Sequence, residues 1–267
     1  MLSSLFLLAA FAPAPYQPSV QAWTFNRFTV FEAIEKTAAA GSQNIELFPG
    51  QKLAPDSDAK VGPEMSADAL QKLKDKLAKH NVRAIAFGVT GIARDEAGAR
   101  PLFLFAKSLG IQILNTESTD AIDTIEKMVK EYDVKVGFHN HPRQANNPNY
   151  KVWDPAYVYE LVKNRDKRIG SCADTGHWVR SGIKPVDAIK TLKGRIVSSH
   201  LKDLHEFTPG GHDVVFGTGV SDVPAILAEY KKINMQGSVS VEYEHNWDTN
   251  LAEVAQCIGY LRANRGQ

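Results

Sequence analysis

Histidine and carboxylate side chains cluster in four short segments of the second half of this sequence. The segments read GFHNHP, CADTGHW, SSHLKD and VEYEHN, and each lies at the end of a run of mainly apolar or small residues. Imidazole nitrogens and carboxylate oxygens are the donors by which proteins hold many divalent metal ions. Four such segments brought to one place would form a metal centre, and they would also supply groups that accept and donate protons.

Strand alternation decides which of these side chains can share one space. In the last segment Val239 and Val241 fall on one face and Glu242 on the other, because successive side chains of a strand point to opposite sides. The valine face must pack against outer helices, so Glu242 points inward. The same rule places Asn140 outward and turns one metal-binding side chain of each segment inward. The predicted ligands are His139, Asp174, His200 and Glu242.

A network of structural ion pairs is the alternative for any one of these residues. Few cationic side chains are predicted on the same inward faces, so the two carboxylates would stay largely unneutralised without an ion. The convergence of four groups therefore favours a bound divalent cation over a network of ion pairs.

Short apolar runs alternate with amphipathic stretches along the chain, a pattern typical of repeated βα units. Strands are predicted at 19–23, 44–48, 82–87, 111–115, 134–139, 169–174, 196–201 and 239–242. Helices are predicted at 29–40, 66–80, 94–109, 120–132, 155–163, 185–192, 223–233 and 251–263. This strict alternation predicts an α/β fold, a single-domain (β/α)8 TIM barrel, whose polar strand ends meet at one mouth. A doubly wound sheet is the alternative, although no glycine-rich phosphate loop follows the first strand.

Composition and charge restrict the kinds of molecule that this chain is expected to bind. The chain has 267 residues, of which 43% are hydrophobic, and this excludes a disordered chain. The net charge of +1 disfavours a nucleic-acid partner held by a basic surface. Only two cysteines, Cys172 and Cys257, are present, which excludes a disulfide scaffold. No segment is apolar for long enough to span a membrane, so a small molecule is the expected partner.

The first residues form a short apolar run that ends in small residues, LSSLFLLAAFAPA. Such a run is typical of a signal peptide, although no basic residue precedes it; an N-terminal tail is the alternative. We therefore predict a signal peptide or tail at 1–14, a barrel at 15–267, and a periplasmic or secreted location, with the cytoplasm as the alternative.

Three motifs resemble the xylose-isomerase-like TIM-barrel superfamily, also called the sugar phosphate isomerase/epimerase family. They are ADTGH, SSHLKD followed by FGTGVSD, and VSVEYEHN, and the resemblance extends over about 16–262. The family includes ketose 3-epimerases, hydroxypyruvate isomerase, inosose dehydratase and endonuclease IV. It implies a metal held by Glu, Asp, His and Glu from strands five to eight, to which Asp174, His200 and Glu242 correspond.

The strand-five glutamate of the family is replaced in this chain. Where the family has Glu-Asn-His, the sequence reads His139-Asn140-His141, an HNH-variant subgroup pattern. Two imidazoles and two carboxylates carry one negative charge fewer than the three carboxylates and one imidazole of the family. The metal preference of the site therefore shifts from magnesium toward softer ions. The resemblance thus implies a divalent cofactor among Mn, Co, Zn and Mg. It also puts in doubt a mechanism that needs two glutamates.

The resemblance implies proton abstraction next to a carbonyl on a sugar or keto-sugar. Glu242 is the expected general base, and His177 or His139 the partner acid. Lys202 is expected to bind a substrate oxygen or stabilise an enolate. Substrate contacts are predicted for Glu46, which would alternatively support a metal ligand, and for His141 and Trp178.

Three alternatives to an isomerase or epimerase remain at this point. A keto-glycoside lyase or dehydratase would begin with the same proton abstraction. A non-catalytic sugar-binding protein is disfavoured by the intact ligand pattern. An endonuclease IV-like nuclease is disfavoured because AFG and LNTES, after the third and fourth strands, contain no histidine and the chain is not basic.

Overall fold

Eight parallel strands close into a barrel in the computed structural model, which describes residues 16–265. They are β1 (Gln17–Gln21), β2 (Asn44–Leu47), β3 (Arg83–Phe87), β4 (Ile113–Thr116), β5 (Lys135–His139), β6 (Ile169–Asp174), β7 (Ile196–Leu201) and, after a hairpin, β10 (Ser238–Val241). The ring closes where β10 pairs with β1, at Val241 and Val20. The predicted TIM barrel is confirmed, and the doubly wound alternative is excluded.

Nine α-helices are found in the described part of the chain, and most alternate with the barrel strands. They are α1 (Val30–Ala39), α2 (Ala67–Lys79), α3 (Glu96–Leu109), α4 (Ile122–Tyr132), α5 (Pro155–Val162), α6 (Thr175–Arg180), α7 (Pro185–Thr191), α8 (Val223–Lys232) and α9 (Leu251–Asn264). Their ends follow local chemistry: Thr29 and Glu32 cap α1 reciprocally, and α3 ends at Gly110, whose φ of 72° suits glycine.

The structure departs from the sequence prediction at three places around the mouth. Trp23 lies in a 3-10 helix (Ala22–Phe25), because β1 ends two residues earlier than predicted. Helix α6 was not predicted, since its six residues are too few to show a helical period. The third place is an antiparallel hairpin of β8 (Asp203–Leu204) and β9 (Asp213–Val214), inside the long connection after β7.

Asp203 explains why the segment FGTGVSD accompanies SSHLKD. Its carboxylate accepts hydrogen bonds from the amides of Gly217 (2.9 Å), Gly219 (3.0 Å) and Ser221 (3.0 Å). A Cβ at position 219 would lie 2.3 Å from the Leu204 carbonyl oxygen, so only glycine fits there. The motif therefore fastens the connection after β7 to the barrel mouth.

Among residues 16–265, no helix has both the length and the apolar character that a membrane crossing requires. The predicted signal peptide or tail at 1–14 lies outside the described residues.

Candidate metal centre

Four side chains from β5, β6, β7 and the end of β10 converge at the carboxyl ends of the barrel strands. Potential ligand atoms of His139, Asp174, His200 and Glu242 all lie within 4.8 Å of one another. All four residues are buried. The four predicted ligands are thus brought together as the alternation of the strands indicated.

Two imidazole nitrogens in this cluster are buried and have no hydrogen-bond partner among residues 16–265. His139 Nε2 lies 3.5 Å from Asp174 Oδ2, and His200 Nδ1 lies 3.2 Å from Glu242 Oε2. An unpaired polar atom in a protein interior costs free energy, because burial strips its water. A cation between the two nitrogens and the two carboxylates would give both nitrogens a partner, so this donor set fits a divalent metal ion.

The second nitrogen of His200 fixes which atom can bind a metal. His200 Nε2 lies 2.9 Å from Glu46 Oε1, and Glu46 is itself held by Asn115 Nδ2 (2.7 Å) and Ser240 Oγ (2.8 Å). A carboxylate bonded to the far nitrogen of a histidine sets its tautomer and leaves the near nitrogen free to ligate. Glu46 is fully buried beneath the cluster, so its contacts favour support of a ligand over substrate binding.

Glu117 contacts the other predicted histidine ligand, His139, and its role was not predicted from the sequence. Its Oε1 lies 3.4 Å from His139 Nδ1 and 3.0 Å from the hydroxyl of Tyr150, and it also contacts His141 Nδ1. Burial alone would raise the pKa of Glu117, but the hydrogen bonds from His139 and His141 outweigh it and hold the pKa below its usual range. Glu117 follows β4 directly, so a search for carboxylates just after every strand end would have found it.

Lys202 is fully buried among carboxylates. Its Nζ lies 2.8 Å from Asp174 Oδ2 and 3.2 Å from Glu244 Oε2, and it also contacts Glu242 Oε2. Burial lowers the pKa of the ammonium, but Asp174 and Glu242 outweigh it and raise the pKa well above its usual value. Lys202 is thus a permanent cation that neutralises part of the cluster's negative charge.

Gly176 makes room for that lysine. A Cβ at position 176 would lie 2.7 Å from both Lys202 Cβ and Cδ, closer than side-chain atoms approach. The glycine of ADTGH therefore has a packing function, because it lets the lysine stem lie against α6.

His177 stands beside the cluster as a neutral imidazole. Burial lowers its pKa well below the usual value, and the attraction of Asp174 does not restore it. Arg180 Nη1 donates to His177 Nδ1 at 3.1 Å, so in the neutral ring Nε2 carries the proton. That Nε2 lies 3.5 Å from Asp174 Oδ2, so a proton donor is held beside the predicted ligands.

A cavity of about 310 Å³ lies over the cluster at the barrel mouth. Its wall includes ionisable side chains and a polar and aromatic set: His139, His141, His177, Glu242 and Glu244, together with Gln21, Trp23 and Phe48. His141, for which a substrate contact is predicted, thus lines this cavity. Trp178 is not on this wall, because its side chain is buried in the hydrophobic core. The cavity therefore lies over a cluster suited to a metal ion, and the side chains of His177 and Glu242, which can carry protons, line it.

Comparison with known proteins gives one family and a set of similar structures. The model of the family described as xylose isomerase-like TIM barrel matches residues 34–263. A putative uncharacterised protein from Parabacteroides distasonis is 30% identical, with a TM-score of 0.74, over 94% of this chain and 99% of that chain. No curated protein matches the sequence.

Two similar structures share the fold at lower identity. D-psicose 3-epimerase, solved in the presence of D-fructose, is 13% identical with a TM-score of 0.71, over 94% of this chain and 100% of that chain. The IolI protein with a bound zinc atom is 19% identical with a TM-score of 0.67, over 93% and 97%.

Proposed function

The chain belongs to the xylose isomerase-like TIM barrel family, and from that membership we propose that it is a divalent-metal-dependent isomerase or epimerase of a sugar or keto-sugar. One observation carries the proposal. Two buried imidazole nitrogens that lack hydrogen-bond partners in the described part of the chain face two carboxylates, directly beneath an open cavity that His177 and Glu242 line. The similar epimerase structure solved with D-fructose supports a ketose as the substrate class.

His139, Asp174, His200 and Glu242 would hold the metal ion. The ion, when bound, would polarise a substrate carbonyl as a Lewis acid and thereby acidify the adjacent C–H bond. Two imidazoles among four ligands favour Mn, Co or Zn over Mg, and the similar zinc-bound structure is consistent with that preference.

Glu242 is the proposed general base. It lines the cavity, and although burial raises its pKa, Lys202 and His200 lower it below the usual value. The carboxylate is therefore ionised at neutral pH and can accept a proton from a substrate carbon. Lys202 contacts Glu242 and is fully buried, so we assign it the role of positioning and neutralising that carboxylate instead of touching substrate.

His177 is the proposed partner acid. Its neutral ring carries a proton on Nε2, because Arg180 occupies Nδ1, and it lines the same cavity as Glu242. One ionised carboxylate and one protonated neutral imidazole provide a base and an acid without a second glutamate. This pair replaces the two-glutamate arrangement that His139 puts in doubt.

The same pair of groups favours a second candidate, a keto-glycoside lyase or dehydratase. Elimination needs a base at carbon and an acid at the departing oxygen, and His177 Nε2 is a proton donor of the required kind. The two candidates differ in product, since an elimination releases water or an alcohol and forms a carbon–carbon double bond.

Solvent deuterium exchange tests the proposal. Protein stripped with EDTA and reloaded with Mn²⁺ or Zn²⁺ is incubated in D₂O with ketohexoses, and proton NMR follows the C–H positions next to the carbonyl. We expect exchange only in the reloaded protein, with epimers or isomers as products. Exchange that survives EDTA would contradict the metal's role, and no exchange with any ketose would contradict the isomerase or epimerase and favour a sugar-binding protein.

A further inference from the structure

We infer that the protein binds sugars of at least two rings, the second ring lying in a cavity next to the mouth over a tryptophan platform. Only the position of the first ring, at the metal cluster, rests on the proposed function. Binding of the second ring depends on other residues and can be tested without the metal.

A second cavity, of about 600 Å³, adjoins the mouth cavity. The two cavities share Trp23 and Phe48 as a common wall. The mouth cavity, at about 310 Å³, lies at the lower end of the roughly 300–1,000 Å³ typical of small-molecule sites, which suits one sugar ring. The second cavity has about twice that volume, so a ligand confined to the mouth cavity would leave the larger of the two cavities empty.

Trp23 has the properties of a stacking platform. Its side chain is 41% exposed, although tryptophan is usually well buried. Its ring is held edge-on against Phe48, with 5.1 Å between ring centroids. Its amide donates to Gln21 Oε1 at 3.0 Å, and Gln21 Nε2 donates to the Gly88 carbonyl at 2.9 Å. An exposed but fixed aromatic ring offers apolar contact area at low entropic cost, which suits the C–H face of a sugar.

Polar side chains form much of the remaining wall of the second cavity. Gln51 is 4% exposed, and its Nε2 donates to the Phe28 carbonyl at 3.1 Å, while its Oε1 has no partner within the described residues. Lys52 donates from Nζ to the Pro55 carbonyl at 2.9 Å, and no carboxylate pairs with it in the described part of the chain. The other polar side chains on the wall are those of Asn26, Arg27, Thr29 and Glu32. These amide, hydroxyl and charged groups match a ligand rich in hydroxyl groups.

Main-chain hydrogen bonds hold this wall in place. The amide of Val30 donates to the Lys52 carbonyl at 2.8 Å, and the amide of Val61 donates to the Gln51 carbonyl at 2.9 Å. The wall is therefore formed before a ligand arrives, and binding pays little ordering entropy. A preformed polar cavity beside an aromatic platform points to a second sugar ring.

Equilibrium binding by calorimetry tests the inference on EDTA-stripped protein. D-fructose is compared with turanose, maltulose, leucrose and isomaltulose, which carry glucose on a different oxygen of the fructose unit. We expect at least one disaccharide to bind about tenfold more tightly than D-fructose, which is about 1.4 kcal/mol. The disaccharide advantage, which is the Kd of D-fructose divided by the Kd of the disaccharide, should fall at least about threefold in Trp23→Ala and in Arg27→Ala.

Asp248→Ala is the matched control, because it breaks the same salt bridge as Arg27→Ala and leaves the cavity wall unchanged. It should keep the full disaccharide advantage. Equal binding of D-fructose and all four disaccharides would overturn the inference, as would an advantage that survives both cavity variants. Absent deuterium exchange with an intact disaccharide advantage would contradict the proposed function alone.

Discussion

The His139 imidazole lies between two parts of the site. Its Nε2 faces Asp174, and its Nδ1 faces Glu117. A neutral imidazole brings no charge to a metal ion, whereas the glutamate implied by the family resemblance would bring one. The identity of this one residue should therefore control which ion is preferred and how protons compete with it.

His139→Glu should keep the metal and shift its preference toward Mg²⁺ or Mn²⁺, because an added carboxylate attracts hard cations. Burial lowers the pKa of His139, but Asp174 and Glu117 outweigh it and raise the pKa above its usual value. The wild-type site should therefore lose metal at a higher pH than the variant as the pH falls. Metal titrations across pH measure both effects. If both proteins prefer the same ion and lose it over the same pH range, His139 lies outside the ligand set.

Glu46→Gln should weaken metal binding about 10- to 100-fold, since a neutral amide supports the far nitrogen of His200 less well than a carboxylate. Calorimetric titration with Zn²⁺ measures the change. The matched control is Glu64→Gln, the same substitution at an exposed position, which should not alter affinity. Unchanged affinity in Glu46→Gln would show that the buried carboxylate has only a packing role.

Asp213 should make stability depend on pH. Burial raises its pKa to about 7, although Lys202 and Arg180 lower it, and its Oδ1 has no hydrogen-bond partner among the described residues. A carboxyl whose pKa rises on folding stabilises the fold fully below the unfolded value near 4, and this contribution is lost as the pH rises to about 7.

Asp213→Asn removes that ionisation, so its free energy of unfolding should fall less between pH 5 and pH 8 than that of the wild type. The difference should be a few kcal/mol at most, at about 1.36 kcal/mol per pKa unit. Urea denaturation at the two pH values measures it, and equal losses in both proteins would contradict the assignment.

At the scale of elements, the inward-facing side chains near the ends of β5, β6, β7 and β10 were predictable, and the connections between the strands were not. Alternation in β5 and β10 placed His139 and Glu242 correctly, because a barrel strand has one packed outer face. Glu117 and Lys202 acquire their roles from partners far away in sequence, such as His139 and Glu242. Such contacts form only when the barrel closes, and the local spacing of apolar and polar residues does not predict them.

The connection after β7 depends on one buried carboxylate. Asp203→Asn keeps the shape of the side chain but replaces one acceptor oxygen with an amide and removes the charge that three backbone amides face. Hydrogen bonds to charged groups contribute about 1.5–3 kcal/mol each, so we expect a loss of at least about 2 kcal/mol in the free energy of unfolding. Urea denaturation measures it.

Asp95→Ala is the control, because it removes only the cap of α3 at an exposed position and should cost about 1 kcal/mol. A loss in Asp203→Asn no larger than that of Asp95→Ala would show that the motif does not anchor the connection.

At the scale of the whole molecule, the barrel brings the proposed ligands from 139 to 242 into one cluster that no shorter unit contains. The proposed ligands lie on or directly after four adjacent strands, so metal binding should be linked to folding of the complete barrel. An ion present at about 100 times its Kd would add about 2.7 kcal/mol to the free energy of unfolding.

The most direct test of the account is the number of divalent ions that the protein binds after EDTA treatment and reloading. We predict one Mn²⁺, Co²⁺ or Zn²⁺ per wild-type chain, and loss of that ion together with deuterium exchange in Asp174→Ala and His200→Ala. Metal content is measured by elemental analysis after gel filtration, with circular dichroism to confirm the fold. Full metal content in both variants, or none in the wild type, would contradict the assignment of the site.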